Sequence, residues 1–224
     1  MSPPDPDSTC DGRAFAAARA NRLVPLFFRD LLRFGEVLEV GSSDVPEPYR
    51  RLLDHRSHMT VTMEAFVGGS LGLKVLQERL EAGSGDADST GLYAREIMLL
   101  APSGSPVQYG IVRVDLGAVL PDVRKRILAG SAPLGRVLIE AGTLRDVHDV
   151  ELVRISAGQE LARRIGIELG RTLFGRVATI SLATGSPQQG FPARTAPAVA
   201  ITASLQPSQV SRPAVELLEI PLVE

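Results

Sequence analysis

Apolar residues dominate two runs, Leu92–Leu100 and Val107–Leu116, separated by the polar, turn-forming run Ala101-Pro102-Ser103-Gly104-Ser105-Pro106. Two such runs around a Pro- and Gly-containing turn predict an antiparallel hairpin with a longer loop. Leu173–Leu182 and Ala214–Ile220 are similarly rich in strand formers and predict two further strands, with a short one over Glu36–Val40. The run Met59-Thr60-Val61-Thr62-Met63-Glu64 also alternates and predicts a strand. Helical spacing takes over across Arg13–Leu32, broken near Pro25, and across Leu71–Glu81, where Leu73, Leu76 and Leu80 share a face. Pro121 opens a predicted helix to about Leu128, and Arg136–Glu140 predicts another, whereas Arg154–Arg163 fits either type.

Residues 1–12 are polar and Pro-rich and are expected to be disordered, leaving 13–224 as a single domain. Gly83–Thr90 reads as a surface loop, and 183–212, dense in Gly, Pro, Ser and Gln, as an insertion with one apolar run, Pro197–Leu205. Strands joined in hairpins, with helices grouped between them, predict an α+β fold with a mainly antiparallel sheet rather than a Rossmann-like alternation.

Charge narrows the function classes. The 224 residues carry 26 acidic and 24 basic side chains, a net charge of −2, so no basic field exists to hold nucleic acid. Every cation but Lys74 and Lys125 is Arg, so a candidate anion site is built from planar, two-pronged donors. Cys10 is the single cysteine, and His55, His58 and His148 show no zinc-type spacing, so neither a disulfide within the chain nor a metal is expected. With no secretory signal and no apolar run of membrane-spanning length, a cytoplasmic protein is expected. Gly68-Gly69-Ser70-Leu71-Gly72 is a weak phosphate-loop signal, lacking the P-loop lysine, and neither Ser57 nor Ser181 sits in a nucleophile elbow.

The sharper signals are charges inside apolar strands. Alternation puts Arg95 on one face with Tyr93, Ile97 and Leu99, and Glu96 on the other with Ala94, Met98 and Leu100. A buried guanidinium is costly unless paired, so Arg95 either meets a ligand or is salt-bridged across the sheet. In the last strand Glu219 alternates with Val215 and Leu217, a setting in which a carboxylate can hold or relay a proton.

In order along the chain, His58-Met59-Thr60, Tyr93-Ala94-Arg95-Glu96-Ile97, Pro133-Leu134-Gly135-Arg136-Val137-Leu138, Leu173-Phe174-Gly175-Arg176 and Pro213–Pro221 resemble the chorismate pyruvate-lyase (4-hydroxybenzoate synthase) family. The resemblance runs from about Leu52 to the C-terminus. It implies a sheet of about six strands with helices on one side, a ligand enclosed beneath helical flaps, and cofactor-independent elimination of pyruvate from chorismate to give 4-hydroxybenzoate. By the same resemblance Arg95 grips the ring carboxylate, Met59 and Leu134 line the ligand, and Glu219 faces the hydroxyl end, making Arg95 and Glu219 the catalytic pair. Such a lyase would serve aromatic biosynthesis.

Two departures matter. Some members carry a second arginine after the glycine matching Gly110, where this chain has Ile111, and Arg113 is the expected substitute in substrate binding. Pro197–Ala203 competes with Pro213–Pro221 for the terminal motif, and the latter is preferred because it keeps the carboxylate and the following proline. The alternative function is a catalytically silent homologue that binds a small aromatic carboxylate as effector or carrier, since the same fold serves as the effector-binding domain of transcription regulators.

Overall fold

The computed structural model describes residues 15–81, 91–182 and 214–223. The described residues build seven strands: β1 (Gly35–Glu39), β2 (Gly72–Glu81), β3 (Leu92–Leu100), β4 (Pro106–Asp115), β5 (Leu144–Ala157), β6 (Thr172–Leu182) and β7 (Val215–Pro221), of which β3, β4, β6 and β7 are apolar runs buried over most of their length. They form one sheet in the order β1-β5-β6-β7-β4-β3-β2, each neighbouring pair antiparallel. The α+β class with an antiparallel sheet is therefore what the chain adopts.

The helices cover both faces, where the resemblance implied one. On the first face lie α3 (Tyr49–Leu53), α4 (Met59–Val67), α5 (Pro121–Leu128) and α6 (Leu134–Glu140); on the second lie α1 (Phe15–Leu23), α2 (Leu31–Phe34) and α7 (Gln159–Ile165). The reason is in the central strands: Tyr93, Ile97, Leu99, Val112 and Leu217 are buried on the first face, and Ala94, Met98, Tyr109, Ile111, Leu218 and Ile220 on the second. A sheet that is apolar on both sides has to be covered twice.

Three expectations are corrected. Residues 59–64 are helical, because Met59 and Met63, four apart, both enter the core while Gly68 closes α4 in the left-handed conformation at φ 70°. Gly68-Gly69 thus ends a helix and offers carbonyls rather than the N–H groups a phosphate needs. Residues 72–81 form the edge strand β2, whose register shifts between Val75 and Gln77; that extra residue converts alternation into apparent helical spacing. β5, masked in the sequence by charged residues, also carries two register shifts and the positive-φ residue Asp149. Arg154–Arg163 divides between the end of β5 and α7. The segment 1–12, with Cys10, and the insertion 183–212, with Pro197–Ala203, lie outside the described residues.

Register places three side-chain rows across the first face. Arg176, Glu219, Gly110 and Ile97 form one row; Ala178, Leu217, Val112, Arg95 and Glu78 form the next. Pro221, Gln108 and Leu99 form the third, on the other side of Gly110.

Candidate functional site

Beneath the starts of α4 and α6 a cavity of about 30 Å³ opens onto the first face of the sheet. His58, Met59 and Thr60 roof it from α4, and Pro133, Leu134 and Gly135 from α6; Ile97, Leu99, Val112, Ile180 and Leu217 supply apolar walls, with Gln108, Arg176 and Glu219 as polar ones. The roof is closely built. A Cβ at Gly135 would stand 2.5 Å from Thr60 Oγ1, so only glycine lets the two helix starts meet. Arg136 pairs with Glu64, whose carboxylate also accepts from Leu71 N at 3.2 Å, tying α6 to α4.

Arg95 is 1% exposed. Its same-face neighbour Ile97 and its cross-strand partner Val112 both line the cavity, and its Nη2 donates to Ala132 O, immediately before the roof residue Pro133, at 3.4 Å. Nε and Nη1 have no partner among the described residues. The carboxylate opposite it on β2, Glu78, is engaged by the Tyr93 hydroxyl at 2.9 Å, and burial followed by this bond pushes the Tyr93 phenol up to about 12. Burial, partly offset by Tyr93 and Glu78, also draws the Arg95 guanidinium below its usual value. The sequence left open whether Arg95 meets a ligand or a salt bridge; among the described residues no salt bridge forms, and two donors stay free.

Glu219 lines the cavity two strands from Arg95 and one row along, roughly 12 Å between Cα atoms on ordinary sheet spacings. Gly110, lacking a side chain, lies between them. Glu219 Oε2 accepts from Arg176 Nε at 2.8 Å, a buried pair that the sequence reading did not find. The signal was present: Arg176 alternates with Phe174, Ala178 and Ile180 as Arg95 does with its apolar neighbours. Arg176 also donates to His55 O at 2.8 Å and Ser57 O at 3.2 Å, fixing the loop that leads into α4. β7, which carries Glu219, lies between β4 and β6.

Met59 and Leu134 both line the cavity, each buried. Arg113 does not join them. Gly110 and Val112 point to the first face, so Ile111 and Arg113 point to the second, where Arg113 donates to Glu216 from Nε at 2.8 Å. It is a sheet-crossing ion pair, and its expected role as a second substrate arginine is corrected on that ground.

The histidines at positions 55 and 58, three apart, are set beside the Arg176–Glu219 pair. Burial first, then the Arg176 charge, hold His55 below the ordinary imidazole value; burial lowers His58 as well, with Glu219 pulling the other way. On the second face His148 Nε2 lies 2.8 Å from Ser181 Oγ and Nδ1 2.8 Å from Asp149 Oδ2, a half-exposed chain that local sequence could not show because it joins β5 to β6. It lies across the sheet from the cavity.

No protein-family model matches this chain, and no curated protein matches it. Among solved structures it is similar to a ligand-binding domain assigned to the GntR family of transcriptional regulators from Bordetella bronchiseptica, at 17% identity over 69% of this chain and 86% of that one, with a TM-score of 0.42. PhnF from Mycobacterium smegmatis shows 11% identity over 92% and 93% at 0.47. The C-terminal domain of the histidine utilization repressor from Pseudomonas syringae pv. tomato shows 17% over 67% and 90% at 0.35. Likeness at this level assigns no family; the fold class rests on the strand order above. Among the described residues no helix is long and apolar enough to cross a membrane.

Proposed function

We propose that this chain is a ligand-binding domain for a small ring carboxylate of the 4-hydroxybenzoate and chorismate class, held between the sheet and the α4–α6 roof. One observation carries the reading: Arg95, fully buried, keeps two guanidinium donors without a partner among the described residues, beside an apolar cavity. An uncompensated buried charge is strongly destabilising, and a planar carboxylate offers the two acceptors that remove the cost. Ile97, Leu99, Val112, Leu217 and Met59 surround the adjoining space with the apolar contacts a ring needs. The cavity of about 30 Å³ is far below the ~150 Å³ that admits benzene. Binding therefore lifts the roof formed by the starts of α4 and α6.

Calorimetric titration of 4-hydroxybenzoate into the purified chain and into Arg95→Ala tests this. Saturable binding that the variant loses is expected; no binding, or equal binding by both, overturns the proposal.

Glu219 favours a second reading, in which the bound ligand is chorismate and pyruvate is eliminated. The C–H bond on the ring carbon bearing the hydroxyl breaks, and its electrons complete the aromatic ring. The C–O bond to the neighbouring enolpyruvyl group breaks with it, and that group takes a proton on its methylene carbon to become pyruvate. Arg95 would orient the ring and Glu219, across Gly110, would receive or relay the proton. Equimolar pyruvate and 4-hydroxybenzoate from chorismate, without added metal or cofactor and lost in Glu219→Gln, would establish the elimination. Binding without turnover leaves the ligand-binding reading alone.

A further inference from the structure

We infer that Gln108 is a specificity-determining residue of this cavity, selecting ring carboxylates that carry a second oxygen substituent beside the one facing Glu219. The inference rests on the ring-carboxylate reading and deepens it. Gln108 is 2% exposed, lines the cavity, and its Oε1 has no hydrogen-bond partner among the described residues. Buried amide oxygens almost always find a partner, so one left free and facing a cavity marks a contact that a ligand completes.

Its position decides which part of the ligand that is. Gln108 stands on β4 one row from Gly110, on the side away from Val112 and Arg95. On ordinary sheet spacings its Cα lies roughly 14 Å from that of Arg95 and roughly 8 Å from that of Glu219. A ring whose carboxylate is held by Arg95 and whose body lies over Gly110 presents its far edge to Glu219 and Gln108 together. Two adjacent ring positions on that edge then meet two different polar groups. The free amide oxygen accepts, so it takes a hydroxyl at the second position, which an apolar side chain would reject by leaving that hydroxyl unsatisfied. The neighbouring walls Leu99 and Ile97 are apolar, and among the described residues the amide oxygen ties nothing together.

The test titrates benzoate, 4-hydroxybenzoate and 3,4-dihydroxybenzoate into the wild-type chain and into Gln108→Leu, with circular dichroism to confirm the fold. The wild type should bind the dihydroxy compound about tenfold more tightly than the monohydroxy one. In Gln108→Leu that ratio should fall to about one. Gln108→Asn, which withdraws the amide by one methylene, is the second variant if the leucine chain does not fold, and its ratio should fall in the same direction. An unchanged ratio in a folded variant, or no preference in the wild type, overturns the assignment while leaving the carboxylate reading standing. Failure of the wild type to bind any of the three overturns the carboxylate reading, and Gln108 with it.

Discussion

Arg95 and Glu96 are adjacent on β3, both essentially removed from solvent, and they point through opposite faces of the sheet into opposite circumstances. Glu96 is saturated: the Tyr109 hydroxyl donates to Oε1 at 2.7 Å, Gln77 Nε2 to Oε2 at 3.2 Å, and Arg164 forms an ion pair with it. Arg164 in turn reaches Phe27 O at 3.1 Å and stacks 4.1 Å above the Phe28 ring, so the cluster fastens α7 and the segment after α1 to the sheet. Among the described residues Arg95 has one long bond to a carbonyl and two idle donors. The difference separates two uses of a buried charge. A satisfied one holds elements together, and, on the proposed reading, an unsatisfied one beside a cavity receives a ligand.

Substitutions can break or sharpen this contrast. Glu96→Ala takes from Arg164 one of its two carboxylates, leaving Glu160, and takes from the Tyr109 hydroxyl its buried acceptor. It should cost about 3–5 kcal/mol of stability, read from the denaturant midpoint, while the folded fraction keeps its affinity for 4-hydroxybenzoate. Undiminished stability would show that the second-face network fastens nothing. Arg95→Met should do the reverse, losing about 2–5 kcal/mol of ligand binding with stability unchanged or raised, because it removes a charge that has no partner. A large loss of stability in that variant would place Arg95 among the structural charges. Tyr109→Phe removes one charge-assisted bond to Glu96 and should cost about 1.5–3 kcal/mol, again without effect on ligand affinity.

The smallest expected effect is on pH dependence. His55 and His58 sit below the ordinary imidazole value, chiefly through burial, so the unfolded chain binds protons before the folded one does. Their contribution is intact above the unfolded value of about 6.5 and is lost as pH falls from there toward the folded values. The thermal midpoint should therefore fall on acidification below that point, and a His55→Gln, His58→Gln chain should show a shallower fall. Parallel curves for the two chains would count against it.

Much of this contrast could be read before any fold was known. Runs of strand formers between turn residues located the hairpin, β6 and β7, and period two alone put Arg95 and Glu96 on opposite faces. It failed where the chain departs from the rule: the bulge after Val75 disguised β2 as a helix, and Met59 with Met63 fitted a strand and a helix equally until the core claimed both. The role of Arg113 was misread because it shares a face with Ile111, and the residue after a glycine on the first face necessarily points to the second. Arg176 was passed over although it obeyed the alternation used for Arg95.

The sequence by itself determined which residues share a face and that charges lie within apolar strands, because side-chain direction along a strand is a local property of the backbone. Only the tertiary structure decided what each charge meets. Glu219 finds Arg176 because β7 enters the sheet between β6 and β4, and Arg95 finds no counter-ion among the described residues because Tyr93 engages the nearest carboxylate across the strand. Pairing depends on register between segments far apart in the chain, and register is set by burying both faces of the sheet at once.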